Sequence, residues 1–243
     1  MKHIFEKVSV KKMGALALGL VAFAPAAMAQ DKVETTIAAD VVSQYIWRGQ
    51  DLGNVSLQPT LGIAYKGLSL TAWGSVGLSK WDDTKEFDLT AAYEIGGFHV
   101  GVTDYWFNSG DGRYFHYDAH STAHVFEANV GYDFGPVALN WYTNFAGADY
   151  CRSNGTKRAG SSYVEATAPF KLGGCDWTAA IGAVPFKTSF YGDANGFAVT
   201  NVSLKATKDI KITDSFSVPV FAQVAANPST EKAYFVVGFT LQP

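Results

Sequence analysis

From residue 34 to residue 241 the chain alternates apolar and polar side chains in twelve stretches separated by turn-forming residues. A period of two places successive side chains on opposite faces of a strand. In Leu68 to Leu78, the residues Leu68, Leu70, Ala72, Val76 and Leu78 form one face, while Ser69, Thr71, Ser75 and Gly77 share the other with Trp73. In Phe87 to Ile95, Phe87, Leu89, Ala91, Tyr93 and Ile95 oppose Asp88, Thr90, Ala92 and Glu94. Residues 124–134 separate Phe126, Ala128, Val130, Tyr132 and Phe134 from Glu127, Asn129 and Asp133. The pattern predicts strands over 34–47, 56–66, 68–78, 86–95, 98–106, 124–134, 137–145, 161–170, 175–184, 196–207, 216–226 and 232–241.

The connections alternate as well. Gly67, Gly96-Gly97, Gly135-Pro136 and Lys171 to Gly174 are tight turns, where glycine supplies the unusual backbone angles and proline ends pairing. The intervening connections, such as Phe107 to Ala123 and Ala146 to Gly160, are longer and richer in Asn, Gly, Ser and charge. Short turns at one rim and long loops at the other are the rhythm of an outer-membrane barrel, in which closure removes the unpaired edges that hydrocarbon does not tolerate. The expected fold is therefore all-β, a closed antiparallel transmembrane barrel of 12 strands, with 10 or 14 as the neighbouring possibilities.

Lys2, Lys7, Lys11 and Lys12 precede the apolar run Met13 to Ala24 and the small-residue site Ala27-Met28-Ala29, the order of a secretory signal. Residues 1–29 are expected to be cleaved, leaving a single barrel domain over 30–243. The formal net charge of −3 becomes more negative once those lysines are removed, and no long basic run remains, which excludes a nucleic-acid partner. No later segment has the roughly 18 apolar residues of a spanning helix. Cys151 and Cys175 fall near opposite rims in the barrel reading, and alpha carbons more than about 7 Å apart do not bridge, so both are expected to be unpaired. Tyr45, Trp47, Tyr65, Tyr93, Tyr132 and Trp177 lie near predicted strand ends, where rings of an aromatic belt would sit.

At Tyr45-Ile46-Trp47-Arg48-Gly49-Gln50 the chain resembles a family of small outer-membrane barrels and porin-type proteins, in which a strand with a Ser and then an aromatic leads through an aromatic-Arg-Gly turn to a Gln-Pro strand. Here those pieces are Ser43, Tyr45, Trp47-Arg48-Gly49 and Gln58-Pro59. The remainder looks most like uncharacterised envelope proteins of Bacteroidetes type. The resemblance implies fold and location and carries no catalytic residue.

Asp40, Gln44, Arg48, Asp88, Glu94, Glu127, Asp133, Glu165 and Lys205 fall on predicted polar faces and are the lumen-facing candidates. Such an interior would either admit small polar solutes or pair its own charges and plug a narrow lumen. The loop Phe107 to His124 carries Arg113, His116, Asp118, His120 and His124, candidates for a constriction or cap at the mouth. His116, His120 and His124 would share one face of a helix and, with Asp118, approach a transition metal, although a solvated polar loop has the same composition. Ser121 beside these histidines has no nucleophile-elbow sequence and no separate orienting residue, so an enzyme is not expected. Gly110-Asp111-Gly112 lacks the spacing of a phosphate loop, and no cofactor is expected. Arg152, Lys157 and Arg158 would meet lipopolysaccharide phosphates.

The expected function is passive passage of small hydrophilic solutes across the cell outer membrane. The alternative is an accessory barrel that binds another envelope protein with its lumen closed.

Overall fold

The computed structural model describes residues 32–79, 83–108, 112–150, 156–192 and 194–243. The predicted signal segment lies outside them. Twelve strands close a barrel: β1 Glu34–Val42, β4 Ser56–Tyr65, β5 Leu68–Gly77, β6 Glu86–Ile95, β7 Phe98–Phe107, β8 His124–Asp133, β9 Ala138–Gly147, β10 Ser162–Leu172, β11 Cys175–Val184, β12 Ala198–Lys211, β13 Ser217–Asn227 and β14 Lys232–Leu241. Two short strands, β2 Tyr45–Trp47 and β3 Gln50–Gly53, form a separate hairpin. Every barrel strand pairs antiparallel with its sequence neighbour, and β1 closes the cylinder against β14, with Asp40 opposite Thr240.

The period-two pattern is realised as an apolar exterior and a polar interior. Ile37, Leu61, Leu70, Leu89, Val102 and Val224 are large, exposed and outward. Their inward neighbours Asp40, Thr60, Asp88, Thr103 and Asn201 are buried. A water-soluble fold would reverse this, because contiguous exposed apolar surface of that extent has no compensation in water. At the short-turn rim Tyr65, Tyr93, Phe98, Tyr132 and Phe170 project outward, and Trp177 stacks on Phe170 at 6.0 Å while donating its Nε1–H to the Leu172 carbonyl at 2.9 Å. Aromatic rings with one polar atom suit such a boundary.

Three expectations are corrected. The first strand ends at Val42 instead of continuing to residue 47, because the chain turns inward there and pairs with itself. Tyr45 and Trp47 consequently leave the exterior belt and lie inside the barrel, 1% and 5% exposed. The segment 113–122 neither caps nor constricts the mouth; it lies on the outer wall over β7 and β8, where Tyr114 meets outward-facing Phe87 and Trp106, and Tyr117 meets outward-facing Phe126. Cys175 is free, and Cys151 lies outside the described residues.

Candidate functional site

The hairpin turns at Arg48 and Gly49, which have φ of 50° and 78°, with Trp47 opposite Gln50. Two consecutive residues at positive φ make the tight connection whose twist matches a hairpin. Gly49 is required twice over, since a Cβ there would lie 1.8 Å from the Thr200 carbonyl oxygen of β12. The Gly49 carbonyl also accepts the Asn227 Nδ2–H of β13 at 3.0 Å. The hairpin, which leaves the wall between β1 and β4, therefore reaches past β14 to β12 and β13.

At its tip the Arg48 guanidinium donates to Glu127 of β8 from Nη1 at 2.5 Å and from Nη2 at 3.1 Å. Four rings surround the cation, Trp47 at 4.5 Å, Tyr142 at 4.0 Å, Tyr163 at 4.8 Å and Tyr191 at 5.1 Å. The planar fork suits both partners at once, offering paired N–H groups at its edge and a delocalised charge at its face. Glu127 accepts further bonds from the hydroxyls of Tyr105 (3.0 Å) and Tyr191. Burial, together with the neighbouring carboxylates Glu86 and Glu127, pushes the Tyr45 and Tyr191 hydroxyls well above the ordinary phenol range, so both remain donors.

A second inward segment completes the stopper. Tyr191 is held by Thr188, whose Oγ1 accepts the Phe190 and Tyr191 amides at 3.0 and 3.2 Å and donates to Ser161 at 2.8 Å. The Gly192 amide donates to Gln50 of β3 at 2.9 Å. Room for Tyr163 comes from Gly182, whose Cβ would overlap the Tyr163 hydroxyl. Together these segments fill the long-loop end of the lumen. Toward the short turns the inward positions Gly62, Ala64, Ser69, Thr71, Thr178 and Ser203 are small and half-buried, whereas His99 and Asn140, bonded to each other over Gly131, are buried.

Of the residues singled out from sequence, Asp40, Asp88, Glu127, Glu165 and Lys205 are buried on the inner wall. Asp40 accepts the Thr240 hydroxyl at 2.6 Å, Glu165 accepts the Tyr163 hydroxyl at 2.6 Å, and the Lys205 ammonium lies 3.8 Å from the Phe221 ring centroid. Gln44 donates to Asp51 at 3.0 Å and, with Asp40 and Lys205, lines a cleft under the hairpin. Arg48 is in the lumen by way of the hairpin and not by the phase of β1. Glu94 and Asp133 sit half-buried at the short-turn rim, where Asp133 accepts the Gly135 amide at 2.7 Å.

The histidines disperse. His116 bonds the Ser121 hydroxyl at 2.7 Å, His120 stacks on Tyr150 at 4.6 Å, and His124 bonds Asp104 through Nδ1 at 2.8 Å and the Tyr114 carbonyl through Nε2 at 2.6 Å. The shared helical face is absent, and among the described residues no three His, Cys, Asp or Glu side chains converge as metal ligands. Asp118 uses its carbonyl to accept the Ser121 and Thr122 amides at 3.1 and 2.8 Å. Arg113 stands at the start of the segment on the outer wall. Arg158 donates to the Gly147 carbonyl at 2.9 Å, and Arg152 lies outside the described residues.

Sequence reading missed Glu86, Tyr105, Tyr142, Tyr163 and Tyr191. Four of them carry a signal: each occupies the polar phase of its strand, Tyr142 for example between Asn140 and Asn144. Tyr191 lies in a loop and has none.

A family model described as a bacterial protein of unknown function, Gcw_chp, matches residues 26–232. No curated protein matches the chain. Among solved structures, an outer-membrane channel from Pseudomonas putida F1 aligns over 96% of this chain and 98% of that one, at 14% identity and a TM-score of 0.36, too distant to carry function across.

Proposed function

Since the chain belongs to the Gcw_chp family, bacterial proteins of unknown function, we propose from its geometry that it is an outer-membrane channel for small hydrophilic solutes, held shut in this conformation by the 45–53 hairpin. The observation that carries the reading is the division of the lumen. The inner wall is polar along its length, and its long-loop end is filled by a stopper attached to the barrel by side-chain bonds, not by the strand ladder. The apolar exterior supports location in the outer membrane among its lipids and lipopolysaccharide, with short turns toward the periplasm and long loops outside. Asp40, Glu86, Asp88, Glu127 and Glu165 outnumber Arg48 and Lys205 among the buried inward charges, which favours cationic solutes.

Saturation of Glu127 favours a second reading. If the hairpin never leaves, the barrel is a closed accessory subunit for another envelope protein. Planar-bilayer recording separates the two. Residues 45–53 are replaced by a short Gly-Ser link, and folding is checked by heat-modifiable gel mobility. The channel reading expects steady conductance from the hairpin-less barrel and low or intermittent conductance from the native chain. A folded hairpin-less barrel that passes no ions would overturn it in favour of the closed subunit.

A further inference from the structure

The seam between β1 and β14 is only partly paired. β1 pairs with β4 along its whole length, from Glu34 opposite Ala64 to Val42 opposite Ser56, but with β14 only from Ala39 opposite Leu241 to Val42 opposite Gly238. One step further, Ser43 still holds Val237: its N–H donates to the Val237 carbonyl at 2.9 Å and its Oγ accepts the Val237 N–H at 3.0 Å. There the chain leaves for the lumen. β14 runs on to Lys232, paired on its other side with β13 as far as Asn227. Backbone groups alternate in direction along a strand, so those of Phe235 and Ala233 face the same side as those of Val237. Among the described residues no backbone hydrogen bond meets them there.

An open strand edge is a template for another strand. The segment whose register matches it is the hairpin itself. The pair Tyr45 opposite Gly53 keeps the offset of the β1–β4 ladder, in which Val42 stands opposite Ser56. The hairpin is thus the outer end of that ladder, folded inward at residues 43–44 and 54–55. Straightened, the ladder would continue the wall, with Tyr45 falling opposite Phe235 and Trp47 opposite Ala233 by the register that sets Val42 against Gly238. Both rings would then share the outward phase of Ile37, where an aromatic belt has its place.

We propose that the 45–53 hairpin has a second seat in the barrel wall, zipped in register onto the open edge of β14, so that clearing the lumen completes the β1–β14 seam. This rests on the channel reading, in which the hairpin leaves the lumen, and adds where it goes. Departure breaks the bonds of Arg48 to Glu127, Tyr45 to Glu86 and Gly49 to Asn227. Arrival forms backbone bonds at Phe235 and Ala233 and carries two aromatic rings to the lipid boundary. A hairpin released into water would lose the first set with nothing in return.

Disulfide trapping tests the second seat. In a full-length chain carrying Cys151→Ser and Cys175→Ser, Trp47→Cys is combined with Ala233→Cys. The barrel is folded in detergent, checked by heat-modifiable gel mobility and exposed to a mild oxidant. Directly opposed residues have alpha carbons about 5.5 Å apart, inside the roughly 7 Å limit for a disulfide. In the lumen seat Trp47 packs instead on Tyr105 and Phe190, inside the barrel, while Ala233 is exposed. The proposal expects an intramolecular disulfide, formed several-fold faster when Arg48→Met releases the anchor, and little from the off-register pair Trp47→Cys with Phe239→Cys. A folded barrel that forms no such disulfide, even with Arg48→Met, overturns it. So does a covalent dimer joined through Ala233→Cys in place of the intramolecular bond, which would give the edge to a second copy. Should the pair not fold, Tyr45→Cys with Phe235→Cys decides the matter by the same readings. Trapping reads position and not current. A hairpin-less barrel that conducts while no disulfide forms refutes the second seat alone, and a disulfide with a hairpin-less barrel that passes no ions refutes the channel alone.

Discussion

Arg48 and Glu127 meet across the barrel lumen through two hydrogen bonds of 2.5 and 3.1 Å, though 79 residues separate them in the chain. Their side chains are 3% and 2% exposed, so neither charge has water to fall back on. Removing one partner strands the other. Arg48→Met or Glu127→Leu alone is expected to destabilise the barrel by about 3–5 kcal/mol, whereas the double replacement recovers most of the loss. Urea unfolding in detergent, run as a double-mutant cycle, checks this. Additive single effects would mean that the pair is not the hairpin's main anchor.

Gly49 tests the hairpin's position without touching a charge. Gly49→Ala places a methyl group against the Thr200 carbonyl at φ +78°. The expected cost is about 1–3 kcal/mol. The hairpin should also withdraw from β12, exposing Trp47 and shifting its fluorescence to the red relative to the wild type. Unchanged emission would place the tip elsewhere.

The two faces of β6 should respond oppositely to charge. Leu89→Arg, at an outward position near the middle of the strand, is expected to cost about 2–4 kcal/mol in lipid. Thr90→Arg points into the lumen beside Thr103 and should cost much less. Comparable losses at both positions, measured by refolding equilibrium in vesicles, would contradict an apolar exterior embedded in hydrocarbon.

His124 holds the 113–122 segment to the outer wall through the Tyr114 carbonyl and Asp104. His124→Ala leaves the Asp104 carboxylate without this partner and removes the ring against which Tyr114 and Tyr117 pack, at 5.1 and 4.4 Å. The segment should loosen while the barrel persists. Trypsin cleavage after Arg113 is therefore expected to accelerate in folded protein, and unchanged cleavage would show that the segment is anchored by its aromatic contacts alone.

The strands were legible because a two-residue period is a local property. Each outward leucine or valine and each inward aspartate or threonine follows from one rule applied along one strand, and the alternation of tight and long connections then implies closure. That rule put Asp88, Glu127, Glu165 and Lys205 on inner faces. It failed after Val42, where Tyr45 and Trp47 continue an apolar-aromatic pattern that suits a strand end in lipid and an inward hairpin equally well.

What the amino-acid order determined by itself was the cylinder: twelve alternating segments with an exterior for hydrocarbon and an interior for water, because side-chain direction in a strand depends only on neighbours in sequence. Only the tertiary structure decided what fills the cylinder. Arg48 reaches Glu127, Gly49 meets Thr200 and Tyr191 closes over both through contacts between distant segments, and no local period encodes which loop will turn inward. The same holds for His116, His120 and His124, whose even spacing suggested convergence. The chain instead laid them against three different partners, because outward-facing rings on β6, β7 and β8 offered the segment an apolar wall to lie on.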